Sequence, residues 1–265
     1  MLNTFIAALI LILVGLTMLY PAFFAKLDSL HRNGAISRKS LRVNYLVHLL
    51  AGGIYVFLLW IFNTNLTLQI SGTVYFIMIL TVVMYYWFVP ISKWNLFIAS
   101  ILFGFIVFIR TIQGIVQLMP LWPGIIIGIF SAMILSIATI IFILNLMNKE
   151  RFQYTEIKIL IKILVGLLLI RIAWDFSVLY FINIGDQNGV LMSTIQFLLN
   201  NAMADFIFIL LFGLLIPLMV GIIILYFPKK IKDNFRLMFS AGAFGCLWVA
   251  EFIYKYLFLQ YGIVL

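Results

Sequence analysis

Runs of about 20 apolar residues recur along the whole length of this sequence, and they limit what the chain can fold into. Each run is long enough for a helix to cross the roughly 30 Å hydrocarbon core of a bilayer. Of the 265 residues, 66% are hydrophobic and only 9% are charged, whereas about a quarter of the residues are charged in soluble domains. The sequence therefore predicts an all-α, polytopic integral membrane helical bundle that forms a single transmembrane domain. Eight transmembrane helices are predicted, at about residues 3–24, 43–62, 70–91, 95–118, 124–147, 159–182, 203–227 and 237–261.

Basic residues mark alternate connections between these runs. Lys and Arg occur after the first, third, fifth and seventh runs, whereas the connections after the second, fourth and sixth carry none. Because positively charged loops stay on the cytoplasmic side, the pattern predicts a multi-pass membrane protein with both termini on the non-cytoplasmic side. In a prokaryote this would be the cytoplasmic membrane. The fourteen basic residues are Lys26, Arg32, Arg38, Lys39, Arg42, Lys93, Lys149, Arg151, Lys158, Lys162, Lys229, Lys230, Lys232 and Arg236.

The stretch of residues 189–227 is too long for one upright span, and its first part is polar. Polar residues, among them Gln196 and Asn201, recur there at helical spacing and form a broad stripe. Two structures fit this pattern. It is either an amphipathic helix at the outer interface that leads into a span, or one long tilted helix that bends near Pro217. The first is preferred, and whether residues 190–205 cross the membrane or lie on it is left open.

Six ionisable residues remain in or beside the outer halves of the predicted spans, and their formal charges sum to zero. At 1.5 Å per residue, they fall at about one depth, between the midplane and the outer third of the bilayer. A bare charge near the bilayer centre costs about 3 kcal/mol or more. The side chains are therefore expected to point inward and to pair around a polar cavity open toward the outer face. They are Arg110, Arg171, Asp175, Asp205, Glu251 and Lys255, with Gln113, Gln196, Asn201 and Trp248 as supporting polar residues.

This charge network has a functional and a structural interpretation. Arg171 and Asp175 lie one helical turn apart, and such a pair contributes only a few tenths of a kcal/mol in water, so partners on other helices are expected. Those partners would form a substrate site or a proton relay, or they would only fix helix packing, at about 0.6 kcal/mol per interhelical contact. The hydroxyls of Ser131, Ser136 and Thr139 in the fifth run are expected to bond within their own helix.

Several kinds of site are absent from the sequence. Cys246 is the only cysteine, which excludes an internal disulfide and a multi-cysteine metal site. His31 and His48 do not supply two haem ligands at one depth, and no zincin, hydrolase or phosphate-loop motif occurs. The sequence therefore predicts no cofactor and no metal. Nucleic acid is not an expected partner, because the net charge of +9 sits in short loops as membrane topology requires.

Three functions fit these features. The preferred hypothesis is a transporter, or a translocation component, for a small polar or anionic solute or for protons, in which arginines hold the anion and a carboxylate carries the proton. The second is a hydrophobic subunit of a larger membrane complex, with contact to a quinone left open. The third is an intramembrane enzyme that acts on lipid head groups, so whether the chain is an enzyme is left open. The expected partners are the lipid bilayer, a small polar solute and, for the second hypothesis, other membrane subunits.

Overall fold

The computed structural model describes residues 2–89, 94–115, 121–147, 154–185, 191–226, 233–263 and 265, and nearly all of them are helical. The long helices are α1 (Leu2–Leu19), α3 (Arg38–Phe62), α4 (Leu66–Phe88), α5 (Trp94–Ile115), α6 (Leu121–Met147), α7 (Tyr154–Phe181) and α11 (Asp233–Tyr261). The shorter elements are a 3₁₀ turn (Tyr20–Phe23), α2 (Phe24–Arg32), strands β1 (Asn183–Gly185) and β2 (Leu191–Ser193), α8 (Thr194–Asn201), α9 (Met203–Phe208), a π-helix (Ile209–Leu215) and α10 (Ile216–Tyr226).

Seven helical segments among the described residues are long and apolar enough to cross a membrane. They indicate a membrane protein and confirm the predicted all-α bundle in its main feature. The remaining predicted span, the sixth (159–182), corresponds to α7, a 28-residue helix that is not one of these seven. The count of eight and the position of both termini therefore stay predictions. Six of the basic residues behind that orientation, Lys93, Lys149, Arg151, Lys229, Lys230 and Lys232, lie outside the described residues.

Side-chain caps set the start of two of the long helices. The hydroxyl of Ser37 accepts a hydrogen bond from the backbone N–H of Ser40 at 3.1 Å, just before α3. The side-chain oxygen of Asn65 accepts one from the N–H of Leu68 at 3.3 Å, just before α4. Each cap satisfies an N–H that has no partner within its helix. As a result α3 begins at Arg38, several residues before the start predicted from apolarity alone.

The region between α7 and α11 is closer to a short helix that leads into a span, which was the preferred interpretation, than to one long tilted helix. Strands β1 and β2 form a small antiparallel hairpin, which the sequence analysis did not predict. Helix α8 follows and is only eight residues, or about 12 Å, long. It ends at Ala202, where the backbone leaves the helical conformation (φ −147°, ψ 40°). A helix of this length cannot cross a bilayer core of roughly 30 Å, so the span begins only at α9.

A π-helix separates α9 from α10 and ends at Leu215, two residues before Pro217. Proline has no N–H to donate and clashes with the carbonyl four residues earlier, which here belongs to Gly213. A wider turn before the proline is one way for a helix to accommodate it. The helix is thus irregular in the seven residues Ile209–Leu215, and a bend near Pro217 stays a prediction.

Helices α1 and α6 form the centre of the bundle. In the most apolar part of each of these two spans, 72% of the residues are buried, compared with 28–39% in the other five. Helix α1 packs against α3, α5, α6 and α11. The outer helices therefore expose large apolar side chains on their outward faces, as lipid-facing helices do.

Helix α11 ends at Tyr261, and the chain then turns back toward the bundle. Gly262 has a φ of +73°, a left-handed conformation that glycine adopts without steric cost. Its N–H donates to the carbonyl of Phe258 at 2.9 Å. After this turn Ile263 and Leu265 are buried, so the main chain at Leu265 lies inside the bundle.

Candidate functional site

Four of the predicted charged residues meet between α7 and α11. The guanidinium Nε of Arg171 lies 3.1 Å from an oxygen of Asp175 on the same helix. On α11, the ammonium of Lys255 lies 3.8 Å from one oxygen of Glu251, and the other Glu251 oxygen lies 4.0 Å from Nη1 of Arg171. All four residues are only 2–6% exposed. Two positive and two negative charges are thus enclosed together and balance one another.

Arg171 is the centre of this arrangement. Besides the bond to Asp175, Nη1 donates to the hydroxyl of Ser131 on α6 at 3.1 Å. Nη2 donates to the main-chain oxygen of Leu265, which follows the turn after α11. The guanidinium also lies over the ring of Tyr254 on α11, with its carbon 4.0 Å from the ring centre, a favourable cation–π geometry. Arg171 therefore joins three parts of the chain.

Ser131 connects the two cations. Its hydroxyl oxygen accepts from Nη1 of Arg171 at 3.1 Å and from the ammonium of Lys255 at 3.0 Å. The expected bond from this hydroxyl to a carbonyl of its own helix is not found among the described residues, and its contacts are instead with the two cations. Thr139, two turns further along α6, does follow that expectation and donates to the carbonyl of Leu135 at 2.6 Å. We refer to Ser131, Arg171, Asp175, Glu251, Tyr254 and Lys255 as the charge cluster.

The two carboxylates of the charge cluster differ in how they are held. One oxygen of Asp175 accepts from Arg171, and the other accepts from the hydroxyl of Tyr254 at 2.6 Å. Glu251 accepts no hydrogen bond from the described residues, and its Oε2 is fully buried. Within the described part of the chain, its cationic contacts are the two at 3.8 and 4.0 Å. At these distances the Glu251 oxygens and the two cations attract each other but do not form direct hydrogen bonds.

A narrow cavity lies beside the charge cluster. Lys255, Tyr254 and Leu265 line it together with apolar side chains and with Gly124 and Gly128 of α6. Its volume is about 10 Å³, and a cavity needs about 10–15 Å³ to hold one water. The sequence analysis predicted a wider polar cavity, open toward the outer face. In this conformation the space beside the cluster admits about one water and no larger solute.

Arg110 and Asp205, which the sequence analysis grouped with the others, lie elsewhere. Arg110 is exposed and lines a separate pocket of about 320 Å³ with Gln113 and Asn65 at the ends of α5 and α4. Asp205 is half-buried on α9, and no hydrogen bond or ion pair joins its side chain to another described residue. The predicted group of six thus divides into a cluster of four and two separate residues.

The supporting polar residues also lie outside the charge cluster. Gln196 and Asn201 are exposed on α8, where the Asn201 side chain donates to the carbonyl of Phe197 at 3.0 Å. Trp248 is half-buried on α11, one turn before Glu251, and packs against Phe244 with ring centres 6.2 Å apart. Its indole N–H is buried without a hydrogen-bond partner in the described part of the chain. None of the three contacts the four charges through a hydrogen bond.

No group of three or more His, Cys, Asp or Glu side chains in the described part of the chain is arranged to hold a metal ion. In the charge cluster, the two carboxylates are each faced by a cation, which would repel a metal. His48 is fully buried and stacks on the ring of Tyr20, with ring centres 5.8 Å apart. The expectation that the chain holds neither metal nor cofactor stays a prediction.

Comparisons of the chain with protein-family models, with curated proteins and with solved structures find no match. The geometry of the charge cluster is therefore the basis for a functional proposal.

Proposed function

We propose that this protein is a membrane transporter in which the charge cluster relays protons, with Glu251 as the group that takes up and releases them. The observation that carries the proposal is the state of Glu251. It is a buried carboxylate without a hydrogen bond from the described residues, and it lies within 4.0 Å of two cations. A carboxylate that no donor fixes can change its protonation state without breaking a bond.

The charge balance of the cluster supports the same role. With all four groups ionised, the positive charges of Arg171 and Lys255 match the negative charges of Asp175 and Glu251. A proton on Glu251 gives the cluster a net charge of +1, which is costly in an apolar interior. Each proton that passes through Glu251 would therefore change the net charge of the four side chains, which suits a transporter better than a group whose only task is to hold helices together.

The size of the neighbouring cavity supports protons over larger solutes as the cargo. A cavity of about 10 Å³ has room for about one water and for no organic solute. A single water next to the ammonium of Lys255 is sufficient to pass a proton along hydrogen bonds. The geometry therefore favours protons over a bound solute as the species that reaches the cluster.

Proton flux into liposomes tests the proposal. The purified protein is reconstituted with a pH-sensitive dye inside, and a potassium diffusion potential drives protons inward. Wild-type protein is expected to acidify the interior faster than protein-free liposomes, and Glu251→Gln is expected to abolish the difference. Asp205→Asn is the matched control, because it also removes one carboxylate from a span but lies outside the cluster. It is expected to retain the wild-type rate.

Three results would overturn the proposal. They are a wild-type rate no higher than that of empty liposomes, a Glu251→Gln rate equal to wild type, and equal losses in both variants. Folding is checked by size-exclusion profile and thermal unfolding, and Glu251→Asp keeps the carboxylate if the glutamine variant is unstable. A cluster with only a packing role would give a lower melting temperature in Glu251→Gln and an unchanged flux per folded molecule.

A further inference from the structure

Another cavity lies where α2, α3 and α4 meet. Its volume is about 350 Å³, compared with about 10 Å³ for the cavity at the charge cluster. Small-molecule sites commonly have volumes of about 300–1,000 Å³, so this cavity is large enough for a ligand. We call it the basic pocket and define it by Asp28, His31, Arg32, Arg38, Arg42 and Trp87.

The basic pocket has an excess of positive charge. Of its three arginines, Arg32 is paired with Asp28, whose carboxylate oxygen lies 2.8 Å from the guanidinium. Arg38 and Arg42 have no carboxylate partner among the described residues. Two uncompensated guanidinium groups therefore line one cavity. Arg38 is exposed, whereas Arg42 is half-buried.

Arg42 is held in position while one of its donors stays unused. Its guanidinium carbon lies 4.7 Å from the centre of the Trp87 ring, and such stacking fixes the plane of the group. The Nε of Arg42 is buried without a hydrogen-bond partner in the described part of the chain. A buried donor normally has a partner. Arg42 also lines the cavity, so an anion bound there would meet a guanidinium whose hydrogen-bonding capacity is not filled by the described residues.

The start of α3 adds to the positive potential. Arg38 is the first residue of this 25-residue helix, and its first turn contains no acidic side chain. The N-terminal end of a helix carries a partial positive charge and favours anions, whereas basic residues there reduce stability. A basic residue that lines the pocket, Arg38, nevertheless begins α3. A local arrangement that is unfavourable without a ligand is often found at a functional site.

We propose that the basic pocket binds a phosphate group, carried either by an anionic lipid head group or by a soluble phosphate compound. Arginine binds phosphate through two parallel N–H bonds, and Arg38 and Arg42 both offer such forks. Trp87 lies at the end of α4, the position at which aromatic side chains meet lipid head groups. Basic pockets between spans on the cytoplasmic side bind anionic lipid head groups in the same way. This proposal does not depend on proton transport.

Binding to two probes distinguishes the sources of the phosphate. The full chain is reconstituted in phosphatidylcholine bilayers with added phosphatidic acid, and bound lipid is measured by native mass spectrometry. In a second arm, inorganic phosphate is titrated onto protein in phosphatidylcholine alone, and the melting temperature is followed. Binding of at least one probe is expected. Arg38→Gln/Arg42→Gln is expected to weaken that binding about tenfold or more, because hydrogen bonds to charged groups are lost.

Lys39→Gln is the matched control, because Lys39 is exposed, adjoins Arg38 and does not line the pocket. It removes the same charge and is expected to leave binding within about twofold of wild type, since only screened surface charge is lost. Arg38→Gln alone, at an exposed helix start, replaces the double variant if the latter does not fold. Loss of phosphatidic acid binding identifies a lipid, and loss of the phosphate response identifies a soluble compound. The proposal is overturned if neither probe binds, or if the control weakens binding as much as the pocket variants.

Discussion

The charge cluster and the basic pocket both contain cationic side chains, but only in the cluster are these cations all balanced by carboxylates. In the cluster, two cations and two carboxylates balance, every member is 6% exposed or less, and the adjoining space is about 10 Å³. In the basic pocket, two arginines lack a carboxylate partner among the described residues, and the space is about 350 Å³. The difference shows how burial limits charge. Deep in the bundle a charge persists only with its counter-charge, whereas near the end of the spans water or an anion can supply the balance.

The largest effect is expected from breaking the balance within the charge cluster. Arg171→Met removes the hub and leaves the buried carboxylate of Asp175 without its cation. Removal of one partner of a buried ion pair costs about 3–5 kcal/mol. We therefore expect little monodisperse protein and a strongly lowered thermal unfolding midpoint in mild detergent. An unfolding midpoint equal to that of wild type would mean that the cluster does not hold α6, α7 and α11 together.

A double variant sharpens this result. Arg171→Met/Asp175→Leu removes both members, so no uncompensated charge of that pair stays buried. Replacement of a buried pair by apolar residues is often nearly neutral, and the double variant is expected to be more stable than Arg171→Met alone. Coupling between two residues in contact appears as such a departure from additivity. If the two losses simply add, then Arg171 and Asp175 are not an energetic pair.

An intermediate effect is expected from filling the narrow cavity of the charge cluster. A Cβ atom at Gly128 would lie 2.3 Å from the ring of Phe108, so Gly128→Ala forces that ring to move. Overpacking of this kind costs about 1–3 kcal/mol, and the cavity that both residues line would change shape. We expect a lower unfolding midpoint and, where the cavity conducts protons, a slower flux in liposomes.

Gly166→Ala is the control for that change. A Cβ atom at Gly166 would meet no other atom within 4 Å, and alanine in a helix interior is more stable than glycine by about 0.5–1 kcal/mol. This variant is expected to keep the wild-type flux and an equal or higher unfolding midpoint. Equal behaviour of the two alanine variants would show that the space beside Gly128 is not restrictive.

The smallest effect is expected in the basic pocket. The side chain of Arg32 is 58% exposed in its pair with Asp28, and exposed ion pairs contribute about 0–1 kcal/mol. Arg32→Gln should therefore lower the unfolding midpoint only slightly, and added salt should remove the difference, because salt screens exposed charges. The loss in Arg171→Met should persist in salt. A salt-independent loss in Arg32→Gln would remove the contrast between the two regions.

Apolar runs predicted the long helices because a bilayer demands about 20 apolar residues for each span. They did not predict helix ends that depend on local polar contacts. The cap at Ser37 starts α3 at Arg38, and α2 (Phe24–Arg32) continues the first span through polar residues. The short hairpin of β1 and β2 was missed because three-residue strands give too little alternation to detect.

The charge cluster was predictable in part. The depth of Arg171, Asp175, Glu251 and Lys255 along their helices indicated that they could meet, and they do. The depth of a residue along its helix does not give the direction of its side chain, and Arg110 lines a different pocket. Tyr254 lies three residues after Glu251, so its shared helix face was a usable signal. The main-chain oxygen that Arg171 binds had no side-chain signal at all.

That main-chain oxygen belongs to Leu265, beyond the turn at Gly262. Helix α11 therefore contacts α7 through Glu251 and Tyr254, and the backbone beyond its C-terminal turn contacts α7 a second time through Leu265. A rotation of α11 about one of these two contacts would break the other. Because both contacts involve the Arg171 guanidinium, α11 can slide or rotate against α7 only if both are broken together.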